Sequence, residues 1–191
     1  MIRCGVAGLG RWGRVLIDSV QGKSDKLKIT AAVTGRKALA QDYCTDKGID
    51  LRDDLSQLLG DPEIDAIILA TPHTQHVDQI IAAAKAGKPV FCDKPLTLTA
   101  DDARRAAAAM KAAGLPLCVG FNRRFLPAMI KLKDAVQSGT LGTILHIEGN
   151  ISGNGGLRYT AEHWRATETE SPAGGMTAMG VHMMDAMMSV M

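Results

Sequence analysis

Hydrophobic and polar positions fall into blocks along the first 120 residues, with short apolar runs separated by longer stretches of helical spacing. The runs at residues 2–7, 29–33, 66–70, 90–92 and 117–119 predict strands. Helical patterns lie between them. The helix over 15–20 follows a glycine-rich turn, the one over 76–86 is closed by Gly87, and the alanine-rich one over 100–113 starts at a Thr99–Asp102 capping box and stops at Gly114. Strands alternating with helices predict βαβ units, and right-handed crossovers then put helices on both faces of a parallel sheet. The expectation is an α/β, doubly wound domain over 1–120 with its ligand at the carboxyl ends of the strands.

The pattern changes after residue 120. A helix is predicted over 126–137, a strand over 143–151, and a methionine-rich helix from Met176. Between the last two, residues 152–174 are polar and glycine-bearing, and so long a stretch without regular structure predicts a functional loop. Residues 121–191 are therefore assigned to a second domain. No internal repeat interrupts this plan.

Composition narrows the function. The chain is 46% hydrophobic and 22% charged, the profile of a globular protein. Lys and Arg number 22 against 20 Asp and Glu, and aromatic residues make up only 4%, so no nucleic-acid partner is expected: there is neither a basic excess nor a supply of stacking rings. No apolar run approaches the ~20 residues that cross a bilayer, and the glycine-filled start does not read as a signal peptide, so no membrane partner and a cytoplasmic location are expected. Cys4, Cys44, Cys92 and Cys118 form no CxxC pair and read as buried small hydrophobes. His73 and His76 lack further ligands at metal-binding spacing, and no metal is predicted.

The strongest chemical signal is Gly8-Leu9-Gly10-Arg11-Trp12-Gly13, a GxGxxG placed after an apolar run and before a helix. In such a turn the first glycine allows a tight reversal, the second lets the backbone approach a pyrophosphate, and the third lets the helix pack closely on the strand. The pyrophosphate then rests on free amides at the positive helix end. An acidic residue at the end of the second strand would select NAD, but this chain reads Thr34, Gly35, Arg36 and Lys37. A hydroxyl and two cations favour the 2′-phosphate of NADP, with NAD as second choice. The same two cations also suit the start of a solvated helix.

With GLGRWG, ATPHTQH at 70–76, DKP at 93–95, GFNRRF at 120–125, Trp164-Arg165 and GGMTAMGVHMMD at 174–185, the chain resembles the glucose-fructose oxidoreductase and inositol dehydrogenase (Gfo/Idh/MocA) family over nearly its whole length. The resemblance implies an N-terminal Rossmann domain followed by an α+β, open-sheet substrate domain. The implied activity is NAD(P)-dependent hydride transfer at a carbinol or carbonyl carbon of a sugar, cyclitol or related polyol. It further implies that Lys94, in the place of the lysine of the family's Glu-Lys-Pro motif, lies beside nicotinamide and substrate, and that His182 exchanges the hydroxyl proton. By the same likeness, cofactor contacts come from Ala70, Thr71, Pro72, His73, His76, Asp93, Lys94, Asn122, Trp164 and Arg165. On a helix Ala178, His182, Asp185 and Ser189 share one face. The family commonly carries an aspartate where Ala178 stands, so either Asp185 or the substrate holds His182, or Lys94 acts alone.

The second domain of that family needs more strands than residues 121–191 offer, and one strand makes no sheet. Seven of the ten methionines fall between Met176 and Met191, and an uncovered side of that helix would be exposed. The expectation is a polypeptide that continues, or a partner that covers this side, with homo-oligomerisation through the C-terminal domain. A different class of function also fits: a non-catalytic NADP-binding sensor or interaction subunit.

Overall fold

The computed structural model describes residues 1–160 and 162–191; residue 161, inside the stretch expected to form a loop, lies outside the described residues. The chain divides into two compact units, Met1–Val119 and Gly120–Met191.

The first unit holds six parallel strands, β1 (Ile2–Ala7), β2 (Leu27–Val33), β3 (Asp50–Arg52), β4 (Ala66–Leu69), β5 (Val90–Cys92) and β6 (Leu117–Val119). Their order is β3-β2-β1-β4-β5-β6. The order reverses between β1 and β4, which opens a crevice where their outgoing connections diverge. Helices α1 (Arg11–Val20) and α2 (Gln41–Lys47) cover one face, packing Ile17 and Cys44 on Cys4, Val6, Ile29 and Ala32. Helices α3 (Leu55–Leu59), α4 (His76–Lys85) and α5 (Ala100–Ala112) cover the other, packing Leu58, Ile80 and Met110 on Ala7, Val33, Ile67 and Leu69. Successive residues of β1 thus bury on opposite faces, which is why the strand is an apolar run rather than an alternation.

Helix ends follow local chemistry. The Thr99 hydroxyl oxygen accepts the Asp102 N–H at 3.1 Å and its proton goes to the Asp102 carboxylate at 2.9 Å. Beyond α5, Gly114 takes φ +68° and the chain turns into β6. The sequence pattern did not resolve residues 37–59, where β3 has three residues and α3 five. Elements this short carry too few periods to register; α3 starts because Asp54 accepts the N–H groups of Ser56 and Gln57 at 2.8 and 3.3 Å.

Burial of the cysteines is uneven. Cys4, Cys44 and Cys92 are buried, whereas Cys118 on β6 is exposed, contrary to the expectation for all four. Burial raises the Cys4 thiol to about 11 and lifts Cys44 and Cys92 above the ordinary thiol range as well. We expect a thiol-titrating reagent to modify one group per native chain and four after unfolding; rapid loss of a second thiol in the native protein would contradict this burial.

The second unit contains α6 (Pro127–Gln137) and a π-turn, Met176–Gly180, that runs into α7 (Val181–Met188). The strand expected over 143–151 does not form. Its apolar residues fit a strand, but a strand needs a neighbour to take its backbone hydrogen bonds, and no described segment of this unit pairs with it in a ladder. No strand forms among the described residues of this unit. The stretch 152–174 is irregular apart from two 3₁₀ turns, Gly155–Arg158 and Trp164–Ala166. The methionines of the last helix divide: Met183 and Met187 press on Gly149, while Met176, Met184 and Met188 are exposed.

Candidate functional site

The site in the first unit is built on the crevice between β1 and β4. Gly8 leaves β1 with φ +100°, its N–H on Val33 O at 2.9 Å, and a Cβ there would lie 2.4 Å from the Ala70 carbonyl oxygen. Gly13 is tighter still, since its Cβ would come within 1.9 Å of Gly8 O. These two glycines let α1 start directly against the strand ends. Gly10, between them, has open space where its Cβ would stand. It caps α1 in an extended conformation, without a side-chain cap and with no acidic residue in the first turn. Arg14 is the first residue whose N–H finds a helical partner, Gly10 O at 3.1 Å. The amides of Arg11, Trp12 and Gly13 are left to an anion at the positive end of the helix. Backbone access over Gly10 and free amide donors fit a dinucleotide pyrophosphate, and Leu9, buried beneath, contributes only its backbone.

Other expected residues gather on the same edge of the sheet. Thr34, Arg36 and Lys37 follow β2; Arg36 is exposed, and Lys37 forms an ion pair with Asp53, the residue after β3. Ala70, Thr71 and Pro72 follow β4, with the Thr71 hydroxyl donating to Gln79 Oε1 at 2.6 Å. Asp93 and Lys94 follow β5. Asp93 is buried, its N–H on Leu69 O at 2.8 Å, while Lys94 is half-exposed before a cis bond to Pro95.

His76 needs correction. It was expected to touch a cofactor, but it is fully buried, with Nδ1 3.0 Å from Pro95 O and Nε2 3.1 Å from Thr71 O. The ring therefore sits between the loop after β4 and the loop after β5, with one nitrogen donating to a carbonyl and the other only in contact, a placement for which spacing gave no signal. His73 is buried too, its ring edge-on to His76 at 5.9 Å. Among residues the sequence reading passed over, Arg14 lies 4.7 Å over the Tyr43 ring and Tyr43 donates to Asp18 at 3.1 Å, steadying α1 on α2.

In the second unit, His182 is buried with its ring edge-on to Phe121, centroids 6.2 Å apart. Asp185 is buried as well, but both its oxygens accept from the Arg124 guanidinium, Oδ2 from Nε at 2.7 Å. The sequence reading had offered this carboxylate as the holder of His182; in the structure it anchors the turn Asn122–Phe125 to α7. Arg124 was missed because the pair joins residues 61 apart. Asn122 is exposed. Trp164 carries the Arg165 guanidinium 4.1 Å above its ring, beside a Tyr159–His163 stack at 4.2 Å. Among the described residues no three His, Cys, Asp or Glu side chains gather as metal ligands, and no helix is long and apolar enough to cross a membrane.

Comparison with known proteins agrees with this architecture. Residues 2–121 match the family model described as an oxidoreductase family with an NAD-binding Rossmann fold, and residues 129–191 match the GFO/IDH/MocA C-terminal domain. A scyllo-inositol 2-dehydrogenase (NAD(+)) of Bacillus subtilis is 37% identical over 78% of this chain and 44% of its own length. A myo-inositol 2-dehydrogenase of Thermotoga maritima is 36% identical over 74% of this chain and 42% of its own. Among solved structures, one from Desulfitobacterium hafniense, provisionally described as an NADPH-dependent oxidoreductase, superposes with a TM-score of 0.91 at 26% identity over all of this chain and 55% of that one. A scyllo-inositol dehydrogenase of Lactobacillus casei with bound NAD(H) and scyllo-inositol gives 0.71 at 28% identity over 75% of this chain and 43% of its own. The chain spans about half the length of the relatives it matches.

Proposed function

Because the chain belongs to the GFO/IDH/MocA oxidoreductase family, we propose that it acts as an NAD(P)-dependent dehydrogenase or reductase on a CH–OH carbon of a sugar, cyclitol or related polyol, with NADP preferred. The observation that carries this reading is the crevice over Gly8, Gly10 and Gly13, where two backbone contacts exclude side chains and one position stands open to a ligand. A bound nicotinamide coenzyme supplies the electron pair and hydrogen that the side chains lack. The amides of Arg11 to Gly13 hold its pyrophosphate, and Arg36 and Lys37 neutralise the 2′-phosphate. Lys94 sets an ammonium beside the reacting oxygen and stabilises negative charge there. His182 takes up or returns the hydroxyl proton, held in place by its packing on Phe121. By the family likeness, Trp164, Arg165 and Asn122 are proposed as further coenzyme contacts. The NADP preference is supported by the missing acid at the end of β2 and by the resemblance to the D. hafniense protein. We further propose a cytoplasmic location and, for the full polypeptide, homo-oligomerisation through the C-terminal domain.

Calorimetry with NADPH and NADH tests the first step. We expect saturable binding of both, tighter for NADPH; no heat with either overturns the proposal. A second reading, a non-catalytic coenzyme-binding module, is favoured by Ala178 in place of the family's aspartate. Tight coenzyme binding with no turnover across a polyol panel would decide for it.

A further inference from the structure

The end of β2 lacks a carboxylate, but the end of its neighbour supplies one. Val33, the last residue of β2, is in register with Arg52, the last residue of β3. Residues 34 and 53 therefore leave adjacent parallel strands side by side, on the edge where the loop Thr34–Lys37 is assigned to the adenosine ribose. Asp53 is fixed there by its backbone N–H, which donates to Gln57 Oε1 at 3.0 Å. Its carboxylate meets the Lys37 ammonium, and both groups remain open, with 73% and 41% of their side-chain surface exposed. The ammonium holds the Asp53 carboxyl below its usual range, so it is an anion at neutral pH. Arg36 stands beside them with no ion pair among the described residues.

The chemistry of this trio is mixed. A carboxylate accepts hydrogen bonds from ribose hydroxyls and repels a 2′-phosphate, whereas an ammonium attracts the phosphate. We propose that Asp53 is the residue that sets coenzyme discrimination, accepting the ribose 2′-hydroxyl of NAD and releasing Lys37 to the 2′-phosphate of NADP. An exposed ion pair contributes little to stability, so exchanging its partner costs little. With two cations against one anion the patch keeps a positive excess, which yields a modest preference for NADP rather than exclusion of NAD. This inference rests on the dinucleotide reading of the glycine turn, and it moves the discriminating acid from the second strand to the third.

The test is titration calorimetry of the chain with NADPH and NADH, repeated for Asp53→Asn and Lys37→Gln and at two salt concentrations. Asp53→Asn is expected to tighten NADPH about fivefold and to weaken NADH about threefold, since one repelling charge and one acceptor are removed. Lys37→Gln is expected to weaken NADPH about tenfold and leave NADH within about twofold. Salt should weaken NADPH binding more steeply in Asp53→Asn than in the parent, because two uncompensated cations then face the phosphate. If Asp53→Asn binds both coenzymes with the parent's ratio of affinities, the inference is wrong and the dinucleotide site stands. If the parent binds neither, the site itself is wrong.

Discussion

Gly10→Ala is expected to raise the coenzyme dissociation constant by about a hundredfold while leaving thermal stability within about 0.5 kcal/mol of the parent. Gly13→Ala should impair both. At Gly10 the added methyl meets no protein atom within 4 Å, and the backbone at φ −68° accepts any L residue. The methyl instead stands in the space through which a pyrophosphate reaches the helix amides. At Gly13 the same methyl would lie 1.9 Å from a backbone oxygen of Gly8, so α1 must move off the strand end. Overpacking of this kind costs about 1–3 kcal/mol or more. Calorimetry paired with thermal unfolding separates the two outcomes. Unchanged coenzyme affinity in Gly10→Ala would show that nothing docks over that turn.

Lys94→Ala is expected to lower kcat about a thousandfold and to leave coenzyme affinity within about twofold, because an ammonium at the reacting oxygen acts on developing charge. The fold should survive. Lys94 is half-exposed, and its loop is held by other atoms: the Asp93 N–H on Leu69 O and the Pro95 carbonyl on His76. Steady-state rates with a polyol panel, beside calorimetry on the same variant, give both numbers. Parent-like rates in Lys94→Ala would remove this residue from the chemistry.

What could be read from the sequence followed from range. The turn from Gly8 to Gly13 announced itself because its constraint is local: three glycines, one apolar run before and one helix after. The capping box at Thr99 is equally local, and it forms. The segment 37–59 was opaque because its strand and its second helix span too few periods to reveal them. The strand expected over 143–151 failed for a different reason, since apolar spacing describes a strand's faces but not the neighbour its backbone requires. The site shows the same division. Residues that follow each strand lie on one edge, because the fold puts all those ends together. Pairings across the fold, Arg124 with Asp185, Lys37 with Asp53 and His76 with two backbone oxygens, have no signature in spacing. His76, assigned by likeness, and Asp185, offered from its shared helix face, are committed to neighbours within the protein.

The imidazole of His76 has a mechanical consequence. One ring is packed between the peptide oxygens of Thr71 and Pro95, a shared grip on the loop after β4 and the loop carrying Lys94. Remodelling the lysine loop for a new substrate while keeping coenzyme affinity would therefore have to start by leaving that grip intact.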